Sequence, residues 1–295
     1  KQDVKIDDLV TVKPITDNQK VAFEAFKKDN KELFLHGAAG TGKTFISLYL
    51  ALEKVLDPST PYHCVYLIRS AVPTREIGFL PGDEEDKTAL YQIPYQNMVQ
   101  FMFEQPNEQA FNNLYDRLKG QGSLYFLSTS FLRGLTFDNT VVIVDECQNL
   151  NFHELDTIIT RIGQDSRIIF CGDFDQTDLQ RTNEINGLFN FVKILEEMEE
   201  FNCTEFTIGD IVRSGFIRSY LINKIKLGIG MDQLKHTERQ WSREVGWGKV
   251  PEEYKYDCPK CEDTGKIPMY KLNHAHVEGA LATTLTDCDE CNGEE

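Results

Sequence analysis

The sequence predicts an α/β fold, a parallel sheet covered by helices, followed by a small metal-binding module. Three observations predict it. Short apolar runs alternate with longer amphipathic stretches between roughly residues 15 and 230, the pattern of strand–helix units. Most of those runs end in polar residues suited to chemistry, and a parallel sheet places its ligand site at that edge. Past residue 232 the alternation stops, and four of the eight cysteines gather in two CxxC pairs.

The first expected element is a helix. In "DNQKVAFEAFKKD" (17–29), Val21, Phe23, Ala25 and Phe26 recur among charges at near-helical spacing, with Asp17 as the expected N-cap. "ELFLHG" (32–37) reads as a strand and "FISLYLALEKVL" (45–56) as a helix. Further strands are expected at "HCVYLIRS" (63–70), "SLYFLST" (123–129), "VVIVDE" (141–146), "RIIFCGD" (167–173) and "CTEFTI" (203–208). Helices are expected over 91–118, 152–162 and 186–200. "TERQWSREVGWGKVPEEYKY" (237–256) has no clear period. Residues 233–256 therefore read as a linker or docking arm between a domain at 1–232 and a module at 257–295.

Composition narrows the class. With 295 residues, 41% hydrophobic and 26% charged, the chain suits a soluble globular protein of one or two domains. No apolar run reaches the roughly eighteen residues of a membrane span. The start, "KQDVKIDDLV", lacks the apolar core of a signal peptide, so a cytoplasmic protein is expected. The net charge is −16; residues 251–295 hold 4 Lys and 11 Asp or Glu, a net of −7, which leaves −9 for residues 1–250. Any nucleic-acid groove must then be a local basic path on an acidic body. Cys64, Cys147, Cys171 and Cys203 lie singly in or near apolar stretches and read as small buried hydrophobes.

"FLHGAAGTGKT" (34–44) carries the chemistry. Gly37, Gly40, Gly42, Lys43 and Thr44 satisfy G-x-x-x-x-G-K-[ST] between a strand and a helix, so the whole loop, with Ala38, Ala39 and Thr41, is the candidate nucleotide cradle. Its glycines let backbone N–H groups converge on phosphate oxygens at a helix N-terminus. Lys43 is suited to neutralising the β/γ-phosphates of ATP, and the Thr44 hydroxyl to ligating Mg²⁺. In "VVIVDECQN", Asp145 is suited to holding Mg²⁺ and Glu146 to polarising a water. Gln148 follows at DExQ spacing, and Gln176 closes "CGDFDQ" after the next strand, placed to sense the γ-phosphate.

DExQ together with GDxxQ resembles motifs II and III of superfamily 1 helicases. Gln19 resembles the glutamine with which those proteins read adenine. "RSAVPTREIGFLPGD" (69–83), "FLRGLTFDNTVVIVDECQN" (131–149) and "DIVRSG" (210–215) are similar to the PhoH family of ATPases. The resemblance covers about residues 15–230 and implies one RecA-like P-loop domain tied to RNA or single-stranded DNA, often as a hexamer. The chain departs at Ser214-Gly215, where the family carries His-Pro, at the acidic "DEEDK" after Gly82, and in its C-terminal extension. The γ-phosphate transition state calls for one more cation. Arg69, Arg75, Arg133, Arg213 and Arg218 are the candidates; Arg213 comes first, with an ion pair to Asp210 as the plain alternative. Arg69, Arg75, Arg133 and Lys87 are candidate nucleic-acid contacts.

Cys258, Cys261, Cys288 and Cys291 can close a tetrahedral Cys₄ site for Zn²⁺, with a pair of disulfides as the minor alternative. The module's acidity favours a structural or protein-docking role. Two functions follow, an ATP-driven remodeller of RNA or single-stranded DNA and an ATP switch that docks a protein partner through the zinc module. A small-molecule kinase fits less well, because Glu146 would waste the phosphoryl group on water. Residues 1–232 account for one lobe, so a homo-oligomeric ring would supply the second wall of the nucleotide site, with Arg213 serving a neighbour.

Overall fold

Apolar runs bounded by turn residues become strands, the central ones buried on both faces, as a helix-covered parallel sheet requires. The structure, a computed structural model, describes residues 3–70, 84–129, 132, 134–174, 182–213, 215–226, 266–268 and 285–287. The chain divides into two compact units, Lys1–Val212 and Arg213–Glu295. The first unit runs α1 (Asp17–Lys27), β1 (Glu32–Gly37), α2 (Lys43–Leu56), β2 (Cys64–Arg69), α3 (Glu84–Phe103), α4 (Glu108–Gly120), β3 (Leu124–Ser128), β4 (Thr140–Val144), α5 (Phe152–Ile159), β5 (Arg167–Gly172), α6 (Thr182–Glu197) and β6 (Phe201–Phe206). In the second unit the described elements are α7 (Gly215–Lys226) and an antiparallel ribbon of β7 (Lys266–Pro268) and β8 (Leu285–Asp287). No described helix is long and apolar enough to cross a membrane.

The six strands of the first unit form one parallel sheet in the order β3-β2-β4-β5-β1-β6. Successive side chains alternate between its faces. Leu33, Leu35, Val65, Leu67, Val141, Ile143, Ile169 and Cys171 pack under α1–α4. Phe34, Ile68, Val142, Val144, Ile168 and Phe170 pack under α5 and α6. All strand expectations are met to within two residues. Cys64, Cys147 and Cys171 are buried thiols as expected, and Cys203 is half-buried.

Two helix expectations are corrected. Thr16, not Asp17, caps α1: its backbone is extended and its side chain accepts from Gln19 N. Asp17 instead lies in the first turn, where its charge suits the helix dipole. The single helix expected over 91–118 is two, because Glu104 takes a left-handed φ of 42° and Asn107 then caps α4 through Ala110 N. Val21, expected on the apolar face of α1, is exposed; Ala22, Phe23, Ala25 and Phe26 form that face.

One buried cation ties β5 to β1. Arg167 is 3% exposed, with Nε donating to Glu32 Oε1 at 2.9 Å, Nη1 to Asn30 Oδ1 at 2.8 Å and Nη2 to Lys31 O. Its guanidinium carbon stands 4.1 Å from the Phe26 ring centre. Burial raises the Glu32 pKa, and the charge of Arg167 opposes the rise. Arg167→Met would leave Glu32 without its cation and is expected to cost on the order of 3 kcal/mol, read from the urea midpoint at pH 7. A loss under about 0.5 kcal/mol, the usual size for a surface change, would show that the bridge is dispensable.

Candidate active site

β1 delivers the cradle. Gly37, Gly40 and Gly42 take φ of 103°, 76° and 87°, the left-handed region that favours glycine. At Gly37 a Cβ would come within 2.2 Å of Phe206 O, so no side chain fits there. The loop is hooked to the end of β6 and the segment after it, by Ala38 N donating to Phe206 O at 2.7 Å and Val212 N to Gly40 O at 3.1 Å. Gly42, the N-cap of α2, brings no side chain to cap the first turn, which leaves that helix end suited to an anion. Thr41 is fully buried and its hydroxyl donates to Ala38 O at 3.0 Å.

Lys43 Nζ donates to Gly37 O and Ala38 O, both at 2.8 Å. Burial lowers its pKa, against the opposing pull of Asp173, Cys171, Glu146 and Asp145. His36, on β1, is 3% exposed and stacks on Phe34 at 4.9 Å between ring centres. Burial and then the charge of Lys43 push its pKa down to about 3, so the imidazole is neutral near pH 7. A neutral ring adds no cation beside the cradle.

β4 delivers the acidic edge. Asp145 and Glu146 follow its last residue, with Glu146 at a left-handed φ of 52°. Asp145 is 5% exposed; its Oδ1 accepts from Thr44 Oγ1 at 2.8 Å and its Oδ2 from the Tyr95 hydroxyl at 2.7 Å. Burial and Glu146 raise the Asp145 pKa, while Tyr95, Thr44 and Arg69 hold it back. Thr44 and Asp145 bring two hard oxygen ligands together, a set that suits Mg²⁺, which takes one or two protein oxygens beside phosphates and water. Among the described residues, no group of three or more His, Cys, Asp or Glu could hold a metal.

Gln148 links the two strand ends. It is fully buried, donates through Nε2 to Glu146 Oε2 at 2.6 Å and accepts at Oε1 from Asp173 N at 3.0 Å. Since β5 lies between β4 and β1, Asp173, directly after its last residue, stands between Glu146 and the cradle. The DExQ spacing thus serves a bridge from the acidic edge to the next strand.

Gln19 is buried under the loop, its Nε2 donating to Thr41 O at 2.9 Å and its Oε1 accepting from Ile15 N at 2.8 Å. Arg69, a candidate both for the γ-phosphate cation and for a nucleic-acid contact, stands beside Tyr95, Glu146 and Asp145. Asp210 accepts from Asn18 Nδ2 and from Thr207 N, both at 2.8 Å. Arg213 is exposed and opens the second unit. Arg218 lies on α7. Gln176, Arg75, Arg133, the side chain of Lys87, the arm at 233–256 and the cysteines Cys258, Cys261, Cys288 and Cys291 lie outside the described residues. Tyr95 was missed by the sequence reading. It sits within a helix, fifty residues from the carboxylate it bonds, and no motif spacing marks it.

The family model described as "PhoH-like protein" matches residues 11–224. Protein PhoH2 of Bacillus subtilis is 32% identical over 183 residues, 61% of this chain and 40% of PhoH2. A PhoH-like protein of Mycobacterium tuberculosis is 30% identical over 204 residues, 69% of this chain and 55% of the relative. Protein PhoH of Escherichia coli is 32% identical over 196 residues, 65% of this chain and 53% of that protein. The chain thus spans about half the length of the curated relatives it matches. Solved structures overlay only loosely: unliganded Pif1 from Bacteroides sp. at 16% identity and TM-score 0.37, over 77% of this chain and 48% of that one. The large terminase of a thermophilic bacteriophage gives 11% and 0.43, over 75% and 52%.

Gln148→Leu would leave Asp173 N without its buried acceptor and Glu146 without its donor. It is expected to lower stability by about 1–3 kcal/mol in urea unfolding. Unchanged stability would mean that water replaces the amide without loss.

Proposed function

The chain belongs to the PhoH-like family, and from that premise we propose that it binds Mg²⁺–ATP and hydrolyses it to drive rearrangement of RNA or single-stranded DNA. The carrying observation is the 2.8 Å bond from Thr44 to Asp145, which joins a phosphate cradle to an acidic strand end 101 residues away. Backbone N–H groups of the loop and the Lys43 ammonium hold the phosphates. Thr44 and Asp145 would hold the metal, which would supply charge neutralisation for the phosphoryl transfer. Glu146, fixed by Gln148, accepts a proton from water as its oxygen bonds the γ-phosphorus and the bond to the ADP oxygen breaks. Gln176 and Gln19 keep their proposed roles as γ-phosphate sensor and adenine reader. For Gln19, base contact would draw on an amide already bonded to the loop, which would couple base binding to loop shape.

The zinc module belongs to this reading. In the β7–β8 ribbon Lys266 pairs with Asp287. In the sequence Cys261 lies five residues before Lys266, and Cys288 directly follows Asp287. Elemental analysis is expected to find one Zn²⁺ per chain, lost in Cys258→Ser with Cys288→Ser. Iron, or no metal, would refute the Cys₄ site. A docking switch is the second reading, favoured by the net −7 of residues 251–295. Single-stranded RNA or DNA should stimulate ATP turnover many-fold if the chain is a remodeller and not at all if it is a switch.

Lys43→Ala is expected to lose ATP turnover, and Glu146→Gln to bind ATP while turning it over at least about 100-fold more slowly. Near-normal hydrolysis by Glu146→Gln would reassign the base. A ring in which Arg213 serves a neighbouring cradle completes the proposal. Mixing Arg213→Ala with Lys43→Ala chains, each inactive alone, should partly restore turnover. No restoration among exchanging subunits would place that arginine's action within its own chain or nowhere.

A further inference from the structure

Sheet register places Arg69 beside Asp145. Ile68 of β2 pairs with Val144 of β4, and Asp145 N donates to Ile68 O at 2.9 Å, so the next residue on each strand faces the same stretch of sheet edge. Tyr95 comes to this point from α3. It is 2% exposed, its ring centre lies 5.7 Å from that of Phe126, and its hydroxyl bonds both Arg69 and Asp145 Oδ2. Donor logic leaves one arrangement. A guanidinium only donates and a carboxylate only accepts, so Arg69 donates to the Tyr95 oxygen and the single phenolic proton points at Asp145. A charged donor behind the hydroxyl strengthens the bond in front of it. Asp145 Oδ2 is thereby held, and rotation of the carboxylate away from Thr44 would break two hydrogen bonds at once.

We propose that Tyr95, backed by Arg69, is a positioning residue for the metal-binding carboxylate of Asp145, keeping Oδ1 beside Thr44 and so setting the divalent-cation affinity of the nucleotide complex. The proposal rests on the Mg²⁺–nucleotide reading above. Neither residue needs to touch metal or nucleotide; both act through Asp145.

Mn²⁺ serves as the probe, its free concentration read by electron paramagnetic resonance in titrations of the ADP-bound chain. Tyr95→Phe keeps the buried ring and removes the hydroxyl. It is expected to weaken Mn²⁺ binding by about 10–100-fold, the usual cost of losing a partner behind a metal ligand. ADP affinity in excess chelator should stay at the wild-type value. Arg69→Gln should weaken Mn²⁺ in the same direction, and the double variant should bind no more weakly than Tyr95→Phe alone, since the two act in series. Wild-type Mn²⁺ affinity in Tyr95→Phe would overturn the proposal. So would independent, multiplying effects of the two substitutions. Loss of metal-free ADP binding in Tyr95→Phe would also overturn it, by showing a merely structural role. Asp145→Asn separates the two levels. If it too leaves Mn²⁺ affinity unchanged, the Mg²⁺–nucleotide reading fails and this inference falls with it; if it alone weakens binding, only the inference fails.

Discussion

The contact between Thr44 and Asp145 exists only because three parallel strands end at one level. β1 carries the cradle, β4 the carboxylates, and one strand, β5, lies between them. A slip of one residue in either ladder would turn each inward side chain to the opposite face and carry the carboxylate away from the loop. The apolar cores on both faces forbid that slip, because Leu33, Leu35, Val141 and Ile143 would exchange places with Phe34, Val142 and Val144. Burial of the strands thus holds the site's geometry as well as the fold.

Charge is handled differently in the sheet's interior and at its edge. Arg167 and Glu32 neutralise one another at the N-terminal ends of β5 and β1, where side chains and backbone of the protein supply their partners. At the C-terminal ends, Asp145 and Glu146 stand adjacent and Lys43 faces them across the sheet edge, with burial opposing the charged form of both Asp145 and Lys43. Hydroxyls of Thr44 and Tyr95 and the amide of Gln148 hold this edge in shape. A triphosphate with a divalent cation would satisfy both signs at once, which is the chemistry such an arrangement suits.

Hydrogen bonds between residues far apart in the chain give the edge its rigidity. Gln148 joins Glu146 to Asp173, Gln19 joins the start of α1 to Thr41, and Val212 latches Gly40. Each polar group in this set answers a specific partner, so the loop has few alternative conformations to lose on binding an anion. Preorganisation of that kind lowers the ordering cost of binding.

The sequence by itself determined the parallel sheet, the cradle and the acidic strand end. Those features are local: glycine at positions of positive φ, apolar runs of strand length, and carboxylates directly after one of them. It misread the cap of α1, where Thr16 and Asp17 are both competent and only backbone geometry chooses between them. It joined α3 to α4, because the break is a left-handed Glu104, a residue type that gives no warning of positive φ. It left Arg69 between two roles, a cation at the γ-phosphate and a nucleic-acid contact, and passed over Tyr95 altogether. Neither side chain has a local signature, since their roles arise from β2 lying against β4 and from Tyr95 of α3 bonding Asp145. Local chemistry is written in spacing along the chain, whereas these contacts depend on which strand neighbours which, and only the folded sheet decides that.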